Sequence, residues 1–407
     1  MIGIAHHQAA GKQPDPALQH AHIYVHFKAV YTLALKERFG EGHLSGVGCA
    51  QQLFHTGDLN GNDAVLSSGR DKAAMGLDHI VTKPHEALAD LLAEDLGAVN
   101  ALIRTRMASR HAPRIPEVTA HLVEAGGKRL RPMLTLAAAR LCGYAGGYHI
   151  HLAATVEFIH TATLLHDDVV DESEQRRGRP TANLLWDNSS SVLVGDYLFA
   201  RSFQLMVETG SLRVLDILAN ASATIAEGEV LQLSAARNLA TDEGVYLQVI
   251  KGKTAALFSA ATEVGGVIAG APEDQVKALF DYGDALGIAF QIVDDLLDYG
   301  GQSGTIGKNV GDDFRERKLT LPVIKAVAAA DDEERAFWSR VIEAGDQRAG
   351  DLEQALALMA KHGALEATRD DALAHAARSK AALAALPDHP VRKLLSDLAD
   401  FVVARVS

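Results

Sequence analysis

The sequence has little cysteine and no excess of positive charge. Only Cys49 and Cys142 occur in 407 residues, so we expect no disulfide framework and a reducing compartment. Lys and Arg number 39 against 52 Asp and Glu, which gives a formal net charge of −13. Because nucleic-acid binding needs a basic surface that neutralises phosphates, we expect no nucleic-acid partner.

Long apolar runs are missing as well. No uninterrupted apolar stretch reaches the length that spans a bilayer, and the first residues lack the basic start and apolar core of a signal peptide. We therefore expect a cytoplasmic protein, with peripheral membrane association left open.

Alternating strand patterns are absent, whereas apolar residues recur at three- and four-residue steps from Thr82 to the C-terminus. This spacing predicts an all-α fold, one large helical bundle. The predicted helices cover residues 84–107, 116–125, 130–142, 148–173, 186–209, 212–236, 242–269 and 273–300, with shorter ones following.

Residues 1–75 read differently from the rest of the chain. Histidines crowd there, and Gly-rich pieces such as GEGHLSGVG break any helical period. We predict that residues 1–75 form a dispensable or poorly ordered extension and that residues 76–407 form one all-α domain.

Two aspartate motifs stand at the ends of apolar helices: DDVVD at residues 167–171 and DDLLD at residues 294–298. Asp167 and Asp171 lie four residues apart on one helix face, as do Asp294 and Asp298, and like charges so placed destabilise an isolated helix by roughly a few tenths of a kcal/mol. One such motif is equally well explained as a solvated helix end. Two copies favour a cavity in which they face each other across phosphate-bound Mg²⁺, a hard ion that prefers oxygen ligands.

Basic residues lie close to both motifs. GGKRLRP at residues 126–132 could cradle a phosphate with its backbone amides, Lys128 and Arg131, although a glycine cap with solvated cations is the alternative. Arg176 and Arg177 follow the first motif, and guanidinium groups suit a diphosphate. His160 precedes Asp167 by two helical turns, where a core histidine is the alternative.

The downstream segments suggest room for a bulky apolar ligand. Lys253 and Thr254 open a helix of small residues, and Gln291 precedes the second motif by one turn. Residues 300–313 are Gly-rich and long for a bundle connection, which predicts a mobile lid carrying Lys308.

Five segments occur here in the order and spacing of one enzyme family: GGKRLRP, HTATLLHDDVVDESEQRRGRPTAN, GKTAALF, GIAFQIVDDLLDY and GKNVGDDF. From about residue 80 onward the chain resembles the trans-isoprenyl diphosphate synthases, most closely their long-chain octaprenyl and decaprenyl branch. The resemblance implies the isoprenoid-synthase bundle with its central apolar cavity. It also implies a homodimeric prenyltransferase with two or three Mg²⁺ ions per site.

The resemblance further implies substrates and residue roles. The enzyme would add isopentenyl diphosphate to an allylic diphosphate such as farnesyl diphosphate, and make a chain of about eight to ten isoprene units for a quinone. The isopentenyl diphosphate site would comprise Lys128, Arg131, His160 and Arg177. The allylic site would comprise Arg176, Lys253, Thr254, Gln291 and Lys308. The metal ligands would be Asp167, Asp171, Asp294 and Asp298. Ala162 and Thr163 occupy the chain-length position, where short-chain members often carry an aromatic ring. Neither is large enough to block a prenyl tail, which predicts that the product passes this point and stops deeper.

Other functions share parts of this pattern. A shorter-chain synthase, a terpene cyclase and a non-catalytic subunit of a two-chain prenyl synthase remain alternatives. A cyclase usually carries a different second metal motif, however, and non-catalytic subunits commonly lose part of one aspartate motif. A metal phosphohydrolase centred on His166 and Asp167 would need further metal-spaced histidines, and His151 does not provide that spacing.

Overall fold

The computed structural model describes residues 83–124, 127–300 and 310–406. The predicted extension over residues 1–75 and the predicted lid lysine, Lys308, lie outside the described residues.

The described chain is built of helices joined by short connections. The first group is α1 (Pro84–Leu91), α2 (Ala93–Met107), α3 (Arg114–Glu124), α4 (Leu130–Leu141) and α5 (Tyr148–Val170). The second group is α6 (Ala182–Leu185), α7 (Asn188–Glu208), α8 (Leu212–Ala235), α9 (Glu243–Ile250), the π-helical turn Lys251–Ala255, α10 (Ala256–Ile268) and α11 (Glu273–Gly300). The third group is α12 (Asp312–Arg315), α13 (Leu321–Ala329), α14 (Asp332–Trp338), the π-helical turn Ser339–Glu343, α15 (Asp351–Lys361), α16 (Ala364–Ala382), the 3₁₀ turn Leu383–Ala385 and α17 (Pro390–Ala404).

The predicted all-α class is confirmed, and most predicted bounds agree with the structure to within a few residues. Two predicted helices are interrupted. The helix predicted over 84–107 breaks at Leu92, whose φ of −106° and ψ of 14° are not helical. The helix predicted over 242–269 contains the π-helical turn Lys251–Ala255.

Two long helices form the centre of the bundle and carry the aspartate motifs at their C-terminal ends. Helix α5 packs against α2, α4, α7 and α10, and α11 packs against α10 and α16. Nearly every residue of α5 from Leu152 to Ala162 is buried, which explains its continuous apolar pattern. Burying this much apolar surface makes the two helices a rigid frame for the residues at their ends.

A small β-hairpin, which the sequence analysis did not predict, follows α5 within the all-α fold. Strands β1 (Gln175–Arg176) and β2 (Arg179–Pro180) pair antiparallel around a two-residue turn. Arg177 and Gly178 at the turn have φ values of 54° and 73°, as a tight hairpin turn of the primed type requires. Strands of two residues are too short to show an alternating pattern, so no sequence pattern marks them.

Among the helices of the described ranges, none is both long enough and apolar enough to pass through a bilayer.

Candidate active site

The first aspartate motif ends α5, and its carboxylates have different surroundings. Asp167 is partly buried, Asp168 is fully buried and Asp171 is exposed. The C-terminal end of a helix carries partial negative charge and disfavours acids. Cations from other elements therefore have to compensate for this motif.

Asp168 anchors the hairpin. Arg176 donates from Nε and from a terminal nitrogen to the same carboxylate oxygen, at 2.8 Å and 2.7 Å. The side-chain amide of Asn183 donates to the Asp168 carbonyl at 3.2 Å. Asp168 thus fixes the position of Arg176, whereas Asp167 and Asp171 share the other face of α5.

Lys253 lies beside Asp167 and is held by a glutamate that the sequence analysis did not identify. Its ammonium nitrogen donates to Glu229 Oε2 at 2.9 Å. The contact depends on a close approach of α8 to the π-helical turn, because a Cβ added to Gly228 would lie 2.6 Å from the Lys253 backbone nitrogen. Burial alone would lower the pKa of Lys253, but the carboxylates of Asp167, Glu229 and Asp171 together raise it.

Asp167 carries an unusual pKa. Burial and the neighbouring Glu229 raise it from 3.8 to about 7, against the opposing effect of Lys253. The raised pKa means that the ionised form of Asp167 is poorly solvated and lies close to other carboxylates, Glu229 and Asp171. Such surroundings favour a cation.

A second lysine that the sequence analysis missed, Lys318, links the two motifs. Burial alone would lower its pKa, yet the charges of Asp171, Asp313 and Glu316 raise it. Its charge also acts on Asp295 in the second motif. One acid from each motif, Asp171 and Asp295, therefore interacts electrostatically with the same lysine.

The carboxylates of the second aspartate motif also differ from one another in their partners. Asp294 lies 4.0 Å from the guanidinium of Arg405. Both carboxylate oxygens of Asp298 accept backbone N–H groups, from Asp312 at 3.2 Å and from Asp313 at 3.0 Å. Asp298 therefore caps the start of α12. Because both of its oxygens already accept hydrogen bonds, it has fewer lone pairs left for a metal ion than a carboxylate without such partners.

Thr254 and Gln291, both predicted to lie at the allylic diphosphate, are in contact. Thr254 Oγ1 donates to Gln291 Oε1 at 2.8 Å, and Gln291 Nε2 donates to Asp295 Oδ1 at 2.8 Å. This arrangement joins the Lys253-Thr254 turn to the second motif.

A cationic cluster lies on the other side of the site and consists of Arg129, Arg131, His160 and Arg177. Arg131 contacts His160 Nε2 at 3.2 Å and stacks over the Phe258 ring at 4.6 Å. Arg129 pairs with Glu157. The buried Nε of Arg131 has no hydrogen-bond partner.

The charges of the cationic cluster are only partly compensated. Burial lowers the pKa of Arg131 to about 10, so it remains protonated at neutral pH. Burial and the adjacent arginines lower the pKa of His160 well below 6.5, so His160 is neutral there. A neutral ring that accepts from Arg131 keeps one N–H to donate, and an anion would meet several donors together.

Lys128 belongs to a neighbouring group at the end of α17. Its ammonium lies 5.4 Å from the centroid of the Phe401 ring. Burial, then Arg405 and Lys83, lower its pKa. The structure therefore brings Arg131, His160 and Arg177 together, and places Lys128 beside Arg405, another residue that the sequence analysis missed.

The two predicted chain-length residues differ in exposure. Ala162 is fully buried, whereas Thr163 is only partly buried. Thr163 precedes Asp167 by one turn and so shares its helix face. Of the two, Thr163 is therefore the one that retains exposure on the Asp167 face.

Within residues 83–124, 127–300 and 310–406, no group of three or more His, Cys, Asp or Glu side chains is arranged to hold a metal ion. Mg²⁺ commonly takes one or two carboxylates and completes its shell with water and substrate phosphates. The oxygen-only donors Asp167, Asp171 and Asp294, with the raised pKa of Asp167, fit Mg²⁺ bound in that way.

Comparisons with known proteins agree on one family. The polyprenyl synthetase family profile matches residues 112–359. Octaprenyl diphosphate synthase of Escherichia coli (strain K12) is 46% identical over 320 residues, which cover 79% of this chain and 98% of that protein.

Solved structures give the same answer. A decaprenyl diphosphate synthase from Rhodobacter capsulatus is 79% identical, with a TM-score of 0.78 over 80% of this chain and 100% of that chain. A polyprenyl synthase from Caulobacter crescentus CB15, crystallised with calcium and isoprenyl diphosphate, is 52% identical, with a TM-score of 0.76 over 80% of this chain and 99% of that chain. The chain belongs to the polyprenyl synthetase family.

Proposed function

We propose that this protein is a long-chain polyprenyl diphosphate synthase, which adds isopentenyl diphosphate units head to tail to an allylic diphosphate such as farnesyl diphosphate. One observation carries the proposal. One acid of each aspartate motif, Asp171 and Asp295, interacts with the same partly buried lysine, Lys318, and a cationic cluster in the site has charge that is only partly compensated. The 46% identity to an octaprenyl diphosphate synthase supports the substrate class.

The allylic diphosphate is proposed to lie between the aspartate motifs. Mg²⁺ held by Asp167, Asp171 and Asp294 would neutralise the diphosphate and stabilise the charge that develops on the leaving oxygens. Lys253 and Lys318 offer ammonium donors to the same oxygens. Arg176, held by Asp168, adds a guanidinium fixed in advance.

The hydrogen bonds of the predicted metal-ligand aspartates distinguish their proposed roles. Asp298 uses both carboxylate oxygens to accept backbone N–H groups at the start of α12. We therefore assign Asp298 first to the placement of that turn and only second to metal binding. Lys308 keeps its predicted role at the allylic diphosphate, as a residue outside the described ranges.

Isopentenyl diphosphate is proposed to bind at the cationic cluster. Arg131 and Arg177 supply positive charge, and neutral His160 donates its remaining N–H. Lys128 and Arg405 form the neighbouring group, and Arg405 lies 5.9 Å from the centroid of the Phe290 ring. The Phe290 and Phe258 rings, whose centroids are 5.5 Å apart, connect this group to Arg131, which stacks over Phe258.

This arrangement explains the reaction without a protein nucleophile. Loss of the allylic diphosphate leaves a carbocation, which the double bond of isopentenyl diphosphate attacks. A proton then leaves, with the released diphosphate as the proposed acceptor. The apolar walls formed by α5, α10 and α11 exclude water that would otherwise trap the cation.

The proposal is tested by incorporation of labelled isopentenyl diphosphate. With farnesyl diphosphate and Mg²⁺, we expect label to enter an apolar product that can be extracted into an organic phase. Chelation of Mg²⁺ should abolish incorporation, and adding Mg²⁺ back should restore it. Extraction of no label in the presence of all three components would overturn the proposal.

We also propose a homodimer formed through α8. Its outward face carries apolar side chains with little cover, including Val230 at 58% and Leu233 at 45% exposure. Unpartnered apolar faces of this kind commonly mark interfaces, and the family resemblance favours a second copy of the chain.

The extension over residues 1–75 is expected to be dispensable. A chain that begins at Met75 should fold, dimerise and condense substrates at a rate within about twofold of the full chain, because every proposed site residue follows Met75. Light scattering and the incorporation assay measure these properties. Loss of activity or of dimerisation in the shortened chain would assign the extension a working role.

A further inference from the structure

A run of buried hydrogen bonds joins three elements behind the allylic site. Tyr246 of α9 donates from Oη to Asp295 Oδ2 at 2.6 Å, and Gln291 of α11 donates to Oδ1 of the same carboxylate at 2.8 Å. Thr254 of the π-helical turn donates to Gln291 at 2.8 Å. Tyr246, Thr254 and Asp295 are only 4%, 5% and 6% exposed, so water does not compete for these bonds.

The direction of each bond follows from the chemistry of its members. Gln291 turns its amide NH₂, which can only donate, toward Asp295 and its amide oxygen, which can only accept, toward Thr254. Thr254 therefore donates its hydroxyl hydrogen to Gln291. Tyr246 stays a donor, because burial and the Asp295 charge hold its pKa well above 10.0.

These hydrogen bonds connect two parts of the proposed active site that are far apart in the sequence. Asp295 adjoins Asp294, and Thr254 adjoins Lys253. The π-helical turn that carries Lys253 and Thr254 is an irregular element, and such turns recur at functional sites in helices. Contacts from outside the turn are needed to hold it in one geometry.

We propose that Tyr246 is a positioning residue, which holds Asp295 and through it orients Asp294 and the Lys253-Thr254 turn around the metal-bound diphosphate. This inference rests on the function proposed above. Without the phenol hydroxyl, Gln291 is the remaining donor to Asp295 in this run of hydrogen bonds. The Asp295 carboxylate can then rotate, and it no longer holds Gln291 and Thr254 in one orientation. The ring itself need not change, because phenylalanine fills the same space.

The chain offers a matched control on α11. Tyr282 is fully buried, and its Oη donates to the Leu395 carbonyl at 2.9 Å. Tyr282→Phe removes an equally buried hydroxyl that donates to a backbone carbonyl of α17 and not to a residue of the site. Any effect of Tyr246→Phe that arises from stability alone should therefore appear in Tyr282→Phe as well.

The test is calorimetric titration of Mg²⁺ into the full-length protein in the presence of inorganic pyrophosphate, alongside steady-state kinetics. Tyr246→Phe should weaken Mg²⁺ binding by up to about tenfold, the lower end of the range found when direct partners of metal ligands are removed, because Asp295 adjoins the proposed ligand Asp294 and is not itself one. Turnover should fall with it and recover in part at high Mg²⁺. Tyr282→Phe should bind Mg²⁺ as the wild type does.

A second variant tests the Tyr246–Asp295 hydrogen bond by changing its acceptor, Asp295. Asp295→Asn keeps the size of the side chain but cannot accept from both Tyr246 and Gln291 in the same way, so it should weaken Mg²⁺ binding to a similar degree. The double variant with Tyr246→Phe should be little worse than either alone, because both break one link.

Two results would overturn the inference. One is Mg²⁺ binding and turnover in Tyr246→Phe that match those of Tyr282→Phe. The other is full additivity of Tyr246→Phe and Asp295→Asn. Wild-type incorporation of isopentenyl diphosphate in the same experiments reports on the proposed function separately, so failure of the inference leaves that function standing.

Discussion

Asp167→Asn should reduce turnover by about a thousandfold or more. Asparagine keeps the shape of the side chain but removes the charge that is proposed to bind Mg²⁺ on the allylic diphosphate. Asp294→Asn should have an effect of similar size from the opposite motif. The measurement is kcat with farnesyl diphosphate, isopentenyl diphosphate and saturating Mg²⁺.

The same substitution should stabilise the metal-free protein. The pKa of Asp167 is raised by burial and by Glu229 from 3.8 to about 7, so its ionised form disfavours the folded state. This destabilisation is fully present above pH 7 and disappears as the pH falls from about 7 to about 4, because the folded protein then takes up the proton more readily than the unfolded chain. Without Mg²⁺ at pH 8, Asp167→Asn should melt a few degrees above the wild type, and the difference should vanish near pH 4.

Asp332→Asn serves as the control for both measurements. Asp332 is exposed at the start of α14 and takes no part in the proposed site. Its replacement should leave turnover unchanged. Near-normal turnover of Asp167→Asn or Asp294→Asn with Mg²⁺ present would refute the proposal that both motifs hold metal-bound diphosphate.

Ala162→Phe should shorten the product sharply while the first condensation keeps a rate close to that of the wild type. The growing chain is proposed to run from Asp167 along α5, past the partly buried Thr163 and the fully buried Ala162. A phenyl ring at position 162 would close this path after the first additions. The first condensation needs no deep tunnel, so it is spared.

The burial of Ala162 also supports a different explanation, in which its small size only lets neighbouring helices approach α5. Over-packing there costs about 1–3 kcal/mol, so the melting temperature must be measured with the products. Thr163→Phe is the matched variant, because Thr163 lies on the Asp167 face and retains exposure. Unchanged product lengths from both variants, each well folded, would place the end of the tunnel elsewhere.

The predictable parts of this protein are those with a local pattern. The continuous apolar spacing of α5 and α11 predicted both helices and placed each aspartate motif at a helix end, as the structure has them. The hairpin was missed because two residues per strand carry no periodicity. The four-residue spacing also placed Asp167 and Asp171 on one helix face.

The contacts that adjust the site could not be predicted, because they join residues far apart in the chain. Glu229 reaches Lys253 only where α8 and the π-helical turn approach closely at Gly228. Lys318 and Arg405 come from elements that follow the second motif, and no pattern around them marks a site. The raised pKa of Asp167 likewise depends on burial and on Glu229, neither of which is visible in one sequence.

The most direct test of the account is the length of the product made by the wild-type enzyme. Purified protein is incubated with farnesyl diphosphate, labelled isopentenyl diphosphate and Mg²⁺, and the dephosphorylated products are separated by chromatography against polyprenol standards. The account predicts a main product between octaprenol and decaprenol. A main product no longer than geranylgeraniol, with excess isopentenyl diphosphate still present, would contradict it.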